Sequence, residues 1–200
     1  MHKSAQYFKL AYKIVDVPTT YAEAISSPES EEWKKAMKEE MDALEESETF
    51  ELQPLPENRS VIGGRWVYTK KTDLENLTKY KARYVAKGFS QVKGIDFHET
   101  FLPTAKFTTI RMLMQIAVQK DLIVHQMDVK TAYLNADIDC DIFLQQPEGF
   151  VKTNSKGEIL VGKLKKSLYG LKQSGRNWYK MLHEYLVNNN FVQSLSDPCL

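Results

Sequence analysis

Cysteine is scarce in this chain, with only Cys140 and Cys199 among 200 residues. Two cysteines are too few for a disulfide scaffold, and with four scattered histidines they give no zinc-ligand spacing. Long hydrophobic runs are also missing, since no stretch approaches the ~18 uncharged apolar residues that a membrane helix needs. The N-terminus has no continuous apolar core and no small-residue cleavage site. We therefore expect a protein of a reducing compartment that is neither secreted nor membrane-bound.

The short motifs of several common enzyme classes are absent as well. The sequence contains no GxxxxGK[ST], GxGxxG, GxSxG or HExxH. These absences argue against the commonest nucleotide-cradling, hydrolase and zinc-protease functions.

The near-neutral net charge of +1 conceals three charged blocks. Residues 23–51 hold eleven acidic residues and three lysines, residues 61–93 hold eight basic and two acidic residues, and residues 163–180 hold six basic and no acidic residues. Aromatic residues are interleaved with both basic blocks, as in surfaces that bind polyphosphate. The alternative is a pair of solvated, lysine-rich faces.

Periodicity predicts a mixed α+β chain. Helical spacing predicts helices over 28–46, 107–120 and 177–189, the first with a hydroxyl cap at Ser26 or Ser27. Runs of strand-forming residues predict strands over 50–56, 65–71, 79–87, 122–129 and 142–146. Residues 1–25 show no clear periodicity and are expected to be a linker or irregular leader, followed by one domain over 26–200.

The strands over 65–71 and 79–87 predict a β-hairpin with a polar turn at 73–76. Because side chains alternate along a strand, Lys81, Arg83 and Lys87 should share one face. Three cations on one face favour contact with a polyanion, although a solubilising edge strand remains an alternative.

Asp128 follows a mostly apolar run of strand-forming residues. A carboxylate at the end of a buried strand needs a partner, and Mg²⁺ is one such partner. An aspartate that caps a turn is the alternative. Asp137, Asp139 and Asp141 are close in sequence but lie in a predicted polar turn that faces solvent.

Six segments in order closely resemble the reverse transcriptase domain of copia-type LTR retrotransposon polyproteins, over about residues 32–200. They are WVYTKK (66–71), KARYVAKGFSQVKGIDFHETFLP (81–103), TTIRMLMQIA (108–117), HQMDVKTAYLNADIDCDIFLQQPEGF (125–150), LKKSLYGLKQSGRNWY (164–179) and SDPCL (196–200). The resemblance implies the fingers and partial palm of a right-hand polymerase, incomplete at the C-terminus.

The resemblance also implies roles for particular residues. Asp128 would be the catalytic carboxylate and a metal ligand, and the Val129 carbonyl would complete the local metal shell. Tyr133 would pack under the incoming sugar and exclude a 2′-hydroxyl. Lys81 and Arg83 would neutralise the triphosphate, since an arginine can hold two oxygens at once.

A second implied site is the loop on the template and nucleotide side, with Lys172, Gln173, Ser174 and Arg176. The family usually reads Ser-Pro-Arg there, whereas this chain has Ser-Gly-Arg over 174–176. Losing the proline removes a constraint on the turn.

In the family, SDPCL is followed by a hairpin with two adjacent aspartates that complete a two-Mg²⁺ site, and this chain contains no Asp-Asp pair. We therefore expect a piece of a longer reading frame or a truncated remnant that is inactive alone.

The resemblance implies as partners an RNA or DNA template-primer, a deoxynucleotide, and the rest of the Pol polyprotein, with integrase upstream and RNase H downstream. It implies a cytoplasmic location, in virus-like particles for an intact element, with the nucleus as an alternative. The alternative functions are a non-catalytic nucleic-acid-binding remnant of a degenerate or domesticated element, and a fragment that does not fold stably.

Overall fold

The computed structural model describes residues 17–72 and 78–200, so the leader up to residue 16 and the predicted turn at 73–76 lie outside the described residues. The helices are α1 (Tyr21–Ser26), α2 (Ser30–Glu46), α3 (Phe107–Gln119) and α4 (Ser174–Asn188). The strands are β1 (Phe50–Gln53), β2 (Val61–Ile62), β3 (Gly64–Thr72), β4 (Thr78–Ala86), β5 (Phe143–Leu144) and β6 (Val161–Leu164). Short 3₁₀ turns occur at Gly88–Ser90 and Ala132–Asn135. The mixed α+β class is confirmed.

Helix α1 was not predicted, although the sequence carries a capping signal for it. The Thr20 hydroxyl accepts a hydrogen bond from the Glu23 N–H (3.2 Å), and the Glu23 carboxylate accepts one from the Thr19 N–H (2.7 Å). This is close to the Thr-x-x-Glu capping box that satisfies free N–H groups at a helix start.

Helix α2 confirms the predicted apolar stripe. The buried side chains of the helix are Trp33, Ala36, Met37, Met41 and Leu44. The predicted hydroxyl cap is wrong: the helix begins at Ser30, its N-cap residue Glu29 makes no side-chain capping bond, and the Ser27 hydroxyl donates to the Ala24 carbonyl (2.8 Å) of the preceding helix.

The predicted hairpin forms from β3 and β4, which pair antiparallel along their whole lengths. Its inner face contributes Trp66, Tyr68 and Tyr84 to the same core that holds the buried side chains of α2. The Trp33 ring packs edge-on against Tyr68 with centroids 5.3 Å apart. This layer of helix on hairpin buries one face of β4 and leaves the other face outward.

A second sheet has the strand order β1-β6-β5-β2. Strands β1 and β5 confirm the predicted strands at 50–56 and 142–146, in shorter form. Strands β2 and β5 pair in parallel. The Tyr84 hydroxyl donates to the Gln145 carbonyl (2.7 Å), so the hairpin core and this sheet are joined just after β5.

Helix α3 forms as predicted, but none of its residues is buried. The predicted strand over 122–129 is wrong: residues 122–129 are irregular and exposed. A strand needs neighbours for its backbone N–H and C=O groups, and no described strand lies beside this segment. No helix in the described ranges is long and apolar enough to span a membrane.

Candidate nucleotide and nucleic-acid interface

Five cations project from the outward side of the β3–β4 hairpin. Alternation along β4 leaves Lys81 exposed and Arg83 half-buried on that side, while pairing puts Lys71 opposite Lys79. We call the following five side chains the basic face: Arg65, Lys71, Lys79, Lys81 and Arg83. None of the five forms an ion pair with another residue in the described ranges. Like charges this close favour an anionic partner.

Lys87 departs from this arrangement because it follows the last residue of β4. Its backbone N–H donates to the Gly63 carbonyl (2.8 Å). Lys87 lines a cleft together with Trp66 and Tyr84 of the inner face and with Arg65 of the basic face. The prediction of a shared face therefore holds for Lys81 and Arg83 within β4, whereas Lys87 lies beyond the strand.

Glu40 is the acidic residue that α2 places near the basic face. Its carboxylate accepts a hydrogen bond from the Tyr84 N–H (3.2 Å). Burial raises the pKa of Glu40 more than this hydrogen bond and the charges of Arg83 and Lys81 lower it. Burial also lowers the pKa of Lys81, and the neighbouring Arg83 lowers it further.

Glu40→Gln is expected to raise the free energy of unfolding at neutral pH, because glutamine keeps an acceptor for the Tyr84 N–H without burying a charge. A raised folded-state pKa means that the wild type gains stability as the pH falls through that pKa. The advantage of the variant should therefore shrink on acidification and vanish below about 4.5, the ordinary value of the group. Urea unfolding of both proteins from pH 7 to pH 4 measures the difference. A difference independent of pH would contradict the assignment of a desolvated carboxylate.

The guanidinium of Arg83 lies over one aromatic ring, and that ring packs against a second. Its Cζ lies 5.2 Å from the centroid of the Tyr169 ring, within cation–π range. The Tyr169 ring contacts the Tyr133 ring with centroids 4.6 Å apart. We call this set the Arg83–Tyr169–Tyr133 stack, and it brings two predicted nucleotide-binding residues to the same ring.

The turn that presents Tyr169, residues 168–173, docks on the end of β4. The Ala86 N–H donates to the Tyr169 carbonyl (2.8 Å). Gly170 has φ +93°, and a Cβ there would collide with the Ala86 carbonyl. Glycine is therefore required at this close approach of two backbones.

Gln173 lies at the centre of a buried hydrogen-bond network and has no exposed surface. Its Nε2 donates to the Asp96 carbonyl (2.7 Å), and its Oε1 accepts from Gln91 Nε2 (2.9 Å). Gln91 Oε1 in turn accepts from the Lys172 N–H (2.8 Å). These bonds tie the 168–173 turn to the segment that follows β4.

The other residues of the predicted template loop differ in exposure. Ser174 is buried and its hydroxyl donates to the Leu168 carbonyl (2.6 Å), where α4 begins despite the missing proline. Lys172 is exposed, and its amino group lies 4.7 Å from the centroid of the Phe97 ring. Arg176 forms an ion pair with Glu99 (2.5 Å). In this conformation Lys172 and Arg176 reach the surface, whereas Gln173 and Ser174 do not.

Asp128 is exposed and has no ion pair or hydrogen bond with any described residue. Val129 beside it is 48% exposed. The premise that Asp128 ends a buried strand is therefore wrong here. Tyr133, five residues on, is by contrast half-buried in a 3₁₀ turn that follows Thr131, whose φ is +49°.

A family model described as reverse transcriptase (RNA-dependent DNA polymerase) matches residues 47–198. The chain belongs to this reverse transcriptase family. It is 43% identical over 184 residues, 92% of its length, to the retrovirus-related Pol polyprotein from transposon TNT 1-94 of Nicotiana tabacum. It is 40% identical to the corresponding polyprotein from transposon RE1 of Arabidopsis thaliana and 38% identical to that from RE2, each over 88% of its length. The predicted membership of the copia-type group is confirmed.

The chain spans only 14% of the TNT 1-94 polyprotein and 12% of the RE1 and RE2 polyproteins. No solved structure matches the chain.

Reverse transcriptases generally use divalent metal ions, so the donor set around Asp128 can be tested against that need. A two-metal site requires several carboxylates within a few ångströms. Within the described ranges no group of three or more histidine, cysteine, aspartate or glutamate side chains could hold a metal ion. The described residues in this arrangement therefore do not fit the two-metal site, and Asp128 with the Val129 carbonyl would supply only a part of it.

Sequence reasoning did not select three residues that contact the candidate site: Glu40, Gln91 and Tyr169. Each lies far along the chain from its partner, so no local spacing reports the contact. Of the three, only Tyr169 was indicated by a sequence pattern, since it lies in a basic block interleaved with aromatic residues.

Proposed function

We propose that residues 26–200 are the fingers and partial palm of a copia-type RNA-directed DNA polymerase, preceded by a linker at 1–25. The complete domain would add deoxynucleotides to a primer 3′-OH by two-metal phosphoryl transfer. The observation that carries the proposal is the Arg83–Tyr169–Tyr133 stack, because it joins the cation expected at the triphosphate to the ring expected under the sugar.

The basic face would bind phosphate groups of the nucleotide and of the template-primer. Arg83 suits the triphosphate because its planar guanidinium can donate two hydrogen bonds to one phosphate while stacking on a ring. Tyr133 would set the space available at the sugar. Lys172 and Arg176 would face the template, with Gln173 and Ser174 holding their backbone in place.

Catalysis would need carboxylates in addition to Asp128. The two Mg²⁺ ions belong to the complete domain, so we propose that this chain is inactive alone and works with the rest of the Pol polyprotein, including integrase and RNase H. A cytoplasmic location, in virus-like particles for an intact element, remains a prediction, with the nucleus as the alternative.

A second candidate function is non-catalytic binding of nucleic acid by a degenerate or domesticated element. The basic face is formed, whereas Asp128 is exposed and the described ranges contain no group of three or more potential ligand side chains that could hold a metal ion. This contrast favours the second function.

A binding experiment separates the two functions. The purified chain is bound to primed RNA without a nucleotide, with the next complementary deoxynucleotide, or with a mismatched one. The dissociation constant for the primed RNA is measured by fluorescence anisotropy in each case. A polymerase module should bind the primed RNA more tightly with the complementary nucleotide than with a mismatched one, and Arg83→Gln should abolish that gain. Binding that ignores the nucleotide supports the second function, and absence of binding contradicts both.

A parallel primer-extension assay with Mg²⁺ tests the catalytic assignment. We expect no extension by this chain alone. Extension that survives Asp128→Asn would contradict the role given to Asp128.

The double variant Lys79→Gln/Lys81→Gln is expected to weaken binding to RNA and to flatten its salt dependence. Removing one lysine–phosphate interaction should reduce the slope of log K against log salt by about 1. Anisotropy titrations measure the slope of log K against log salt. They run between about 50 and 200 mM salt, the range over which such interactions are usually compared. Lys156→Gln is the matched control because Lys156 is an exposed lysine in the turn over 154–157, away from the hairpin. Equal slopes for the double variant and the control would place the nucleic acid elsewhere.

A further inference from the structure

We propose that Tyr169 is a positioning residue that fixes Arg83 and Tyr133 relative to each other, so that the triphosphate and sugar of a deoxynucleotide are held at one spacing. The inference rests on the proposed function and deepens it. The family resemblance assigns no role to Tyr169, and the proposed function uses its ring only as the contact that Arg83 and Tyr133 share.

The Tyr169 ring has the two neighbours that such a role requires. Arg83 lies over it at 5.2 Å, and Tyr133 meets it at 4.6 Å with an angle of 50° between the ring planes. Arg83 and Tyr133 come from different elements, the hairpin and the 3₁₀ turn at Ala132–Asn135. The ring therefore fills the space between two elements that would otherwise set their side chains independently.

The backbone of Tyr169 is fixed more firmly than its half-buried side chain suggests. Its carbonyl accepts the Ala86 N–H, three residues after Arg83 on the same strand. Gly170 and Gly88 allow the turn to approach β4 so closely that a Cβ at either position would collide with backbone atoms. A ring attached to this turn has little freedom to move away from Arg83.

Arg83 has no other described contact that would orient its guanidinium. It forms no hydrogen bond or ion pair with a described residue, and Glu40 acts on it only through its charge. Cation–π stacking on Tyr169 leaves the N–H edges of the guanidinium free for phosphate oxygens. The same ring limits where the Tyr133 ring can lie, and so limits the space at the sugar 2′ position.

The test compares Tyr169→Phe, which keeps the ring, with Tyr169→Leu, which removes it. Tyr185→Leu is the control, because Tyr185 is an exposed tyrosine on α4. Binding of dUTP and UTP, which differ only at the 2′ position, is titrated without divalent metal by NMR. The Arg83 Nε–H resonance, assigned with Arg83→Lys, reports the stack directly.

Wild type, Tyr169→Phe and Tyr185→Leu should prefer dUTP over UTP and show an upfield-shifted Arg83 resonance. Tyr169→Leu should lose that shift, bind dUTP about threefold to tenfold more weakly, and lose the preference, in line with the strength of one cation–π and one aromatic contact. A purely structural residue would not change the ratio of dUTP to UTP affinity.

Any other result contradicts the role proposed for Tyr169, and the pattern of binding shows whether the nucleotide site fails as well. If wild type and Tyr169→Leu bind dUTP and UTP alike, Tyr169 does not position the site, while the proposed nucleotide site stands. If Tyr169→Phe behaves as Tyr169→Leu, the hydroxyl and not the ring is responsible. If wild type binds neither nucleotide, the nucleotide site of the proposed function fails together with the inference. Should Tyr169→Leu not fold, an Arg83 resonance without ring shift in wild type would by itself reject the stack.

Discussion

Gly170→Ala is expected to lower the free energy of unfolding by about 2–6 kcal/mol, one of the largest single effects this chain offers. A left-handed backbone costs an L-residue of order 1–3 kcal/mol, and Gly170 has φ +93°. The added Cβ would also collide with the Ala86 carbonyl and lie 2.6 Å from Val85 Cγ1. Overpacking of this kind typically costs about another 1–3 kcal/mol. Urea or thermal unfolding followed by circular dichroism measures the loss.

Gly157→Ala separates the two contributions. Gly157 has φ +80°, but a Cβ there would meet no atom within 4 Å. It should therefore show the backbone cost alone, of order 1–3 kcal/mol. If Gly170→Ala cost no more than Gly157→Ala, the turn over 168–173 would be able to move away from β4, and Tyr169 could not be held in register by its backbone.

Local patterns predicted the parts of the fold whose contacts are local. The alternation of Tyr80, Ala82 and Tyr84 against Lys81 and Arg83 is a property of consecutive residues, and the hairpin follows it. The stripe on α2 is likewise set by spacing along one helix. For such elements the sequence carries both the type of structure and the face that is buried.

The segment over 122–129 shows where this reasoning stops. Its composition favours a strand, but strand formation depends on partners that composition does not reveal. In the described ranges Val124 and Met127 are exposed, and no strand pairs with them. The expectation that Asp128 is buried depended on that strand pairing. Because the pairing is absent from the described ranges, the expectation is wrong as well.

The candidate site was predicted in part for the same reason. Lys81, Arg83 and Tyr133 were selected by motif, and two of them do meet at one ring. The residue that joins them, Tyr169, is distant in sequence from both, so only the folded chain identifies it. Gln173 was also selected by motif as part of the template loop, yet in this structure its side chain is buried and bonded to backbone and side-chain atoms of the protein.

Gln173→Leu is expected to lower the free energy of unfolding by about 2–4 kcal/mol. Leucine is similar in volume, so the destabilisation arises mainly from the missing hydrogen bonds to the Asp96 carbonyl and Gln91 Nε2. Each buried polar group left without its partner costs about 1–3 kcal/mol. Because Gln91 also accepts the Lys172 N–H, the whole turn should loosen with the network. Chemical denaturation gives the change in stability, and hydrogen exchange at the Lys172 amide reports the turn itself.

Gln119→Leu is the matched control, since Gln119 is exposed at the last position of α3 and should change stability by less than about 0.5 kcal/mol. The double variant Gln91→Leu/Gln173→Leu should lose less stability than the sum of its two single variants. Removing both partners of a buried hydrogen bond is far less costly than removing one. A double variant that is as unstable as the sum of its single variants would show that Gln91 and Gln173 act separately. A smaller loss would instead show that Gln91 and Gln173 are coupled through the hydrogen bond they share, in the network that also accepts the Lys172 N–H of the 168–173 turn.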